Sequence, residues 1–150
     1  MNLTDSRIEV LEFAIADKRS SDSLNLYESL VTSYITIDDL EAAWKTLETA
    51  ETKAENGLTH YLTLLKGWLM KKRGLKKEGN QLLRTLECEP DETYSWGVTF
   101  VDFCDNLLFR GKLQYVDEIY KEASKVDREI SYKSHQTWSQ FNVSSRPIYS

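Results

Sequence analysis

Gly67-Trp68-Leu69-Met70-Lys71-Lys72-Arg73-Gly74-Leu75-Lys76-Lys77-Glu78-Gly79 is the stretch whose reading decides the fold. An apolar pattern of helical length runs into Gly74, and a second pattern leaves it. The layout recurs around Gly111, in Leu107-Leu108-Phe109-Arg110-Gly111-Lys112-Leu113, and around Asp38, in Tyr34-Ile35-Thr36-Ile37-Asp38-Asp39-Leu40. These three turn residues stand 36 and 37 positions apart. A fixed period of that size in a helical chain marks a solenoid of helix pairs.

The flanking sequence agrees. Ser6 and Glu9 have the spacing of a capping box, and Ile8, Leu11 and Ile15 follow at helical steps. Tyr27, Leu30, Val31 and Tyr34 mark a second helix. A third carries Leu40, Ala43, Trp44, Leu47, Ala50 and Ala54; its start is read at Asp38 and its stop at Asn56-Gly57, a left-handed terminus. Leu58, Tyr61, Leu62, Leu65 and Leu69 mark a fourth helix that ends at Gly74. Leu75, Leu82, Leu83 and Leu86 mark a fifth that stops near Pro90. Asp91-Glu92 supplies negative charge where the start of a sixth helix favours it. That helix carries Trp96, Phe100, Phe103, Cys104, Leu107 and Leu108. Leu113, Val116, Ile119, Tyr120, Ala123 and Val126 mark a seventh. Steps of three and four throughout are those of amphipathic helices. Residues 129–140 are expected to form a further capping helix and 141–150 a tail.

Bulk properties narrow the class. A chain of 150 residues can bury roughly 70% of its unfolded surface, and its 41% hydrophobic content excludes a disordered chain. Two prolines and six glycines suit an all-helical fold. The net charge of −5 argues against a general nucleic-acid binder. Cys88 and Cys104 have neither disulfide-framework nor metal spacing, and both read as reduced thiols in helices. No run approaches the ~18 apolar residues of a membrane span, and the first residues lack a signal-peptide pattern. A cytoplasmic protein without a membrane partner is expected. Asn2 and Asn142 fit the glycosylation pattern and, without a signal, read as chance.

The repeats resemble the tetratricopeptide repeat family, whose period is about 34 residues, with aromatic-x2-Leu-Gly-x2-Tyr on one helix and Ala-x3-Phe on the next. The first repeat reads Tyr27-x2-Leu30-Val31-x2-Tyr34, then Ala43-x3-Leu47 and Ala50. The second has Gly67 at the small position, Gly74 at the turn, Gly79 for the usual Ala, and Pro90 near the closing proline. The third reads Phe100-x2-Phe103-Cys104-x2-Leu107, Gly111, Val116-x3-Tyr120 and Ala123. Thr63 and Lys66 depart from the pattern, so the first helix of repeat two is rotated or shifted in register. The resemblance covers residues 22–128. It implies one all-α domain over 1–150: a right-handed helical-repeat solenoid of three helix-turn-helix hairpins (22–55, 58–89 and 92–127), with capping helices at 5–18 and 129–140. Gly67 with Gly79, and Val31 with Ala43, would let paired helices approach closely.

The first helix of each hairpin would line a concave groove. Carried over by position, the groove exposes Asn25, Glu28, Thr32 and Ile35, then Tyr61, Leu64, Trp68, Lys71 and Lys72, then Val98, Val101, Asp105 and Leu108. Tyr61, Leu64, Trp68, Lys71, Lys72, Val101, Asp105 and Leu108 are the expected peptide-binding residues. An apolar, aromatic floor with a basic edge suits a peptide with apolar anchors and acidic flanks. The competing reading is that the protein itself covers Trp68 and Leu64. The family's clamp for acidic C-terminal peptides needs Lys and Asn in the groove; Glu28, Thr32, Asp102 and Asp105 fall at or near those places and argue against it.

The expected function is therefore a protein–protein interaction adaptor or chaperone-like scaffold that holds a partner's peptide segment. The basic run Lys71-Lys72-Arg73 with Lys76 and Lys77 reads as dipole-complementing cations at a helix end. Its alternative is a docking patch in a sensor for a short signalling peptide or phosphate-bearing ligand. A structural subunit of a larger assembly is a third reading. Trp96 and Trp138 are candidate homodimer contacts. No enzyme, cofactor or metal is expected: His60 and His135 lack a two-His spacing, and no nucleophile motif or phosphate-cradling loop occurs.

Overall fold

The computed structural model describes residues 3–17, 24–87 and 97–126. Among them are seven α-helices and no strand: α1 (Leu3–Ala16), α2 (Leu24–Thr36), α3 (Leu40–Lys53), α4 (His60–Lys72), α5 (Lys76–Glu87), α6 (Gly97–Phe109) and α7 (Leu113–Val126). The chain divides into two compact units, Met1–Leu86 and Glu87–Ser150. The sequence reading treats the two together as one domain. The expected capping helix at 129–140, the tail, Cys88, Pro90, Asp91, Glu92, Trp96 and Trp138 lie outside the described residues.

The three turns share one geometry. Asp38, Gly74 and Gly111 have left-handed φ values of 66°, 88° and 77°. The next residue reaches back across the turn: Asp39 N–H to Tyr34 C=O (2.9 Å), Leu75 to Met70 (2.9 Å) and Lys112 to Leu107 (2.8 Å). The left-handed residue closes the inner bond, to Ile35 (2.9 Å), Lys71 (3.1 Å) and Leu108 (3.0 Å). This pair of bonds is the Schellman cap, which satisfies carbonyls that a helix end leaves open. Asp39, Leu75 and Lys112 then accept the first bond of the following helix, from Ala43 (3.1 Å), Gly79 (2.9 Å) and Val116 (3.2 Å). One residue thus ends one helix and begins the next, and α2–α3, α4–α5 and α6–α7 are hairpins with the same connection.

Three local readings need correction. Asp39 caps α3, its carboxylate accepting from Ala42 N–H at 3.1 Å, while Asp38 is the left-handed residue before it. The shift arises because the Schellman cap consumes Asp38. α3 stops at Lys53, before Gly57, whose φ of 86° serves the following loop. Ser6 lies inside α1 and does not cap it. The cap of α4 is Thr59, whose hydroxyl oxygen accepts from Leu62 N–H at 3.2 Å.

In the first unit α2 lies against α1 and α3, and α4 lies against α3. The shared core is Tyr27, Leu30, Val31 and Ile35 from α2, Ala43, Leu47 and Ala50 from α3, and Leu62, Leu65 and Leu69 from α4. Ser33 and Thr36, buried on α2, turn their hydroxyls back to the carbonyls of Ser29 (2.8 Å) and Thr32 (2.7 Å). Each thereby satisfies within its own helix a group that burial would otherwise leave unpaired. α5 meets α4 where both helices lack a side chain: a Cβ on Gly79 would stand 2.8 Å from the Gly67 carbonyl oxygen, and one on Gly67 2.6 Å from Leu83 Cγ. Val31 and Ala43, the corresponding pair of the first hairpin, are fully buried.

Polar links join the first two hairpins. Thr59 O–H donates to the Glu28 carboxylate (2.6 Å), Lys66 pairs with Glu51 (2.7 Å) and Arg73 with Glu41 (2.9 Å). The exposed pairs contribute at most about 1 kcal/mol each; apolar burial around α4 carries more. In the second unit, Phe100, Phe103, Cys104, Leu107 and Leu108 of α6 and Val116, Ile119 and Ala123 of α7 are buried. By the 37-residue repeat offset, buried Cys104 and Val116 correspond in sequence to Gly67 and Gly79.

Candidate interaction surface

The proposed groove floor is not open. Tyr61, Leu64 and Trp68 are 2%, 0% and 2% exposed, and Ile35 of the first hairpin is fully buried as well. The reason lies in the sequence of α4 itself. Tyr61, Leu64 and Trp68 lie on one side and Leu62, Leu65 and Leu69 continue round from it, so the apolar residues take about half of the circumference, wider than an ordinary core-facing stripe. Thr63, Lys66 and Met70 take the remaining side and are only half-buried, which is why the first two stand where the repeat pattern calls for large apolar residues.

The basic run is divided among different tasks. Lys71 is half-buried, and its Cγ lies 2.8 Å from where a Cβ on Gly79 would stand, so its stem runs along α5. Lys72 Nζ sits 5.8 Å from the centre of the Trp68 ring, and the Arg73 guanidinium 4.8 Å from that of Trp44. Such contacts contribute about 0.5–1 kcal/mol at exposed sites. Lys76 and Lys77 are exposed in the first turn of α5. Of the expected peptide-binding residues, the structure thus brings Trp68 and Lys72 together as a stacked pair.

Val101, Asp105 and Leu108 share α6 in the second unit. Leu108 is buried at 6% exposure, another departure from the expected open groove, because it joins the α6 apolar stripe beside Leu107. Asp105 is half-buried, and burial, helped by the charge of Asp102, raises its carboxyl above the usual range. The Val101 side chain lies outside the described set. Glu28 is likewise raised by burial, a shift that the hydrogen bond from Thr59 opposes. Burial pushes the Cys104 thiol far up, with a further push from Asp105, which makes it a poor nucleophile. Among the described residues no three His, Cys, Asp or Glu side chains gather as metal ligands. No helix among them is long and apolar enough to cross a membrane.

The exposed apolar side chains are elsewhere. Val10 and Phe13 on α1 are 67% and 78% exposed, and Phe109 and Leu113 flank the α6–α7 turn at 87% and 53%. The sequence carried a signal for the α1 pair: both fall off the Ile8–Leu11–Ile15 stripe, which marks them as apolar residues without a core to face.

Compared with known families, curated proteins and solved structures, the chain matches none.

Proposed function

We propose that this chain is a protein–protein interaction adaptor of the tetratricopeptide type, a right-handed stack of helix hairpins with α1 as its N-terminal cap, working in the cytoplasm. The observation that carries the reading is the threefold repetition of one helix-turn-helix connection, with left-handed residues at Asp38, Gly74 and Gly111. Small or buried residues recur at matching offsets in each hairpin. Stacked hairpins of this kind present extended surfaces rather than catalytic clefts.

Buried Tyr61, Leu64 and Trp68 constrain how a partner is held. A peptide reaches that side of α4 only by displacing what covers it, so partner binding in the groove is coupled to opening. The signalling-ligand alternative is left with Arg73, Lys76 and Lys77 as its exposed cations, of which Arg73 is paired with Glu41.

The test is to immobilise the full chain, identify what it retains from its native extract, reconstitute one purified candidate, and follow amide exchange on titration. Groove occupation predicts altered exchange in α4 at saturation. A saturable complex that leaves α4 unchanged would remove the groove and leave the adaptor. Failure of every retained protein to form a saturable complex would sink the adaptor reading.

A further inference from the structure

We propose that the outer face of α5 is a docking surface for a short acidic segment of a protein partner. It deepens the adaptor reading, on which it rests, by naming the chemistry of one contact and placing it on a helix other than α4. At 3.6 residues per turn, the buried Gly79, Leu83 and Leu86 fall on one side of α5. Lys77, Gln81 and Arg84 stand opposite them, with Asn80 and Lys76 continuing round one flank, and all five are exposed. Glu78 lies off the other flank, and Glu87 stands at the last position of the helix. The stripe from Lys76 to Arg84 thus offers three cations and two amides, with no carboxylate within it. Lys76, Lys77 and Arg84 form no ion pair among the described residues, whereas Lys66, Arg73, Lys121 and Lys125 are each paired with a carboxylate.

Helix stability does not account for this placement. Lys76 and Lys77 occupy the first turn of α5, where the dipole favours negative charge, and Glu78 is the one acid there to offset them. α3, by contrast, opens with Asp39 as its cap and Glu41 in its first turn. A carboxylate bound at the start of α5 removes that conflict by meeting the lysines and the dipole together. Further along, Asn80 and Gln81 supply amide donors, and the Arg84 guanidinium can donate two parallel hydrogen bonds to one carboxylate. The length of the stripe selects the occupant. Lys76 to Arg84 spans about 12 Å of helix, the reach of about four residues of extended chain. A nucleic-acid strand carries its charge on past that length and meets a chain whose net charge is −5. A short acidic segment ends where the stripe ends.

The test follows the backbone amide resonances of the full chain during titration with an acidic peptide of alternating Glu and Gly. Its neutral Gln–Gly counterpart and a single-stranded oligonucleotide of equal charge are titrated alongside. The expected result is saturable shifts, largest over residues 76–84, with the acidic peptide and none with the neutral one, and an affinity that falls as salt rises. Lys77→Glu with Arg84→Glu, both at exposed sites, should weaken binding at least about tenfold while the melting temperature stays as in the parent. Lys45→Glu with Lys53→Glu on α3 changes the net charge equally and should leave the affinity within about twofold of the parent. Equal weakening by the two pairs would reduce the effect to overall charge and overturn the proposal. Tighter binding of the oligonucleotide at the same residues would overturn it in favour of nucleic acid. The absence of shifts in α5 up to about 5 mM peptide would overturn it too, while leaving the adaptor reading, which falls only if no retained protein forms a saturable complex.

Discussion

A methyl group on Gly79 would stand 2.8 Å from the carbonyl oxygen of Gly67, so the backbones of α4 and α5 touch at these two residues. The obstacle is main chain, which no rotamer change can move aside. Gly79→Ala should therefore destabilise the protein. Overpacking costs about 1–3 kcal/mol, offset by the ~1 kcal/mol that Ala gains over Gly inside a helix. Urea unfolding should show a net loss of up to about 2 kcal/mol. Gly67→Ala meets a side chain instead, Leu83 Cγ at 2.6 Å and a methyl at 2.7 Å. Combined with Leu83→Ala, it should cost less than the sum of the two single changes, a non-additivity that a double-mutant cycle measures.

Gly74 and Gly111 matter for a different reason. A Cβ at either would meet nothing within 4 Å, yet their φ values are 88° and 77°. Only the left-handed backbone resists substitution, at about 1–2 kcal/mol for an L-residue. Gly74→Ala should lower stability by roughly that amount, and Gly74→Asn by less, since Asn tolerates this conformation. An equal loss for both would point to packing rather than backbone.

Trp68 separates a core role from a binding role. At 2% exposure its removal should unfold much of the first unit rather than abolish one interaction. Trp68→Ala should cost about 3–5 kcal/mol, the usual range for a buried large aromatic. A variant that melts with the parent would mean that Trp68 is not enclosed in solution.

Glu28 gives a pH signature. Burial raises its carboxyl and the Thr59 hydroxyl lowers it again, leaving a net upward shift. A raised carboxyl means that the folded state holds its proton more tightly than the unfolded state, so stability present in acid is lost as pH rises through the folded value. Glu28→Gln keeps an acceptor for Thr59 and carries no charge. It should melt higher than the parent at pH 7, with the difference vanishing as pH falls below the carboxylate range.

Tyr34 on α2 donates its hydroxyl to Glu12 on α1. Burial first, then the hydrogen bond and charge of Glu12, and then the charge of Asp39 push its phenol up to about 12 from the ordinary 10.0. The contribution to stability is complete below the unfolded value and lost between pH 10 and 12. The ultraviolet titration of the parent minus that of Tyr34→Phe should isolate one tyrosine titrating near 12. A difference curve centred at 10 would contradict the contact.

What the sequence determined by itself is local. Helical periodicity placed α2 to α7 within a few residues, and glycine at the two later turns announced a left-handed backbone, because only a residue without Cβ adopts it freely. The repeat offset paired Gly67 with Gly79 before any contact was visible. Tertiary structure decided which apolar sides are covered. Periodicity says that a side chain is apolar, whereas burial depends on neighbours that arrive from elsewhere in the chain. Trp68 and Leu64 on α4 look like groove or core with equal right in a linear reading, and only the folded chain encloses them. The cap of α3 moved from Asp38 to Asp39 for the same kind of reason: a turn's hydrogen bonds, not the type of the residue, choose which of two adjacent aspartates faces the helix.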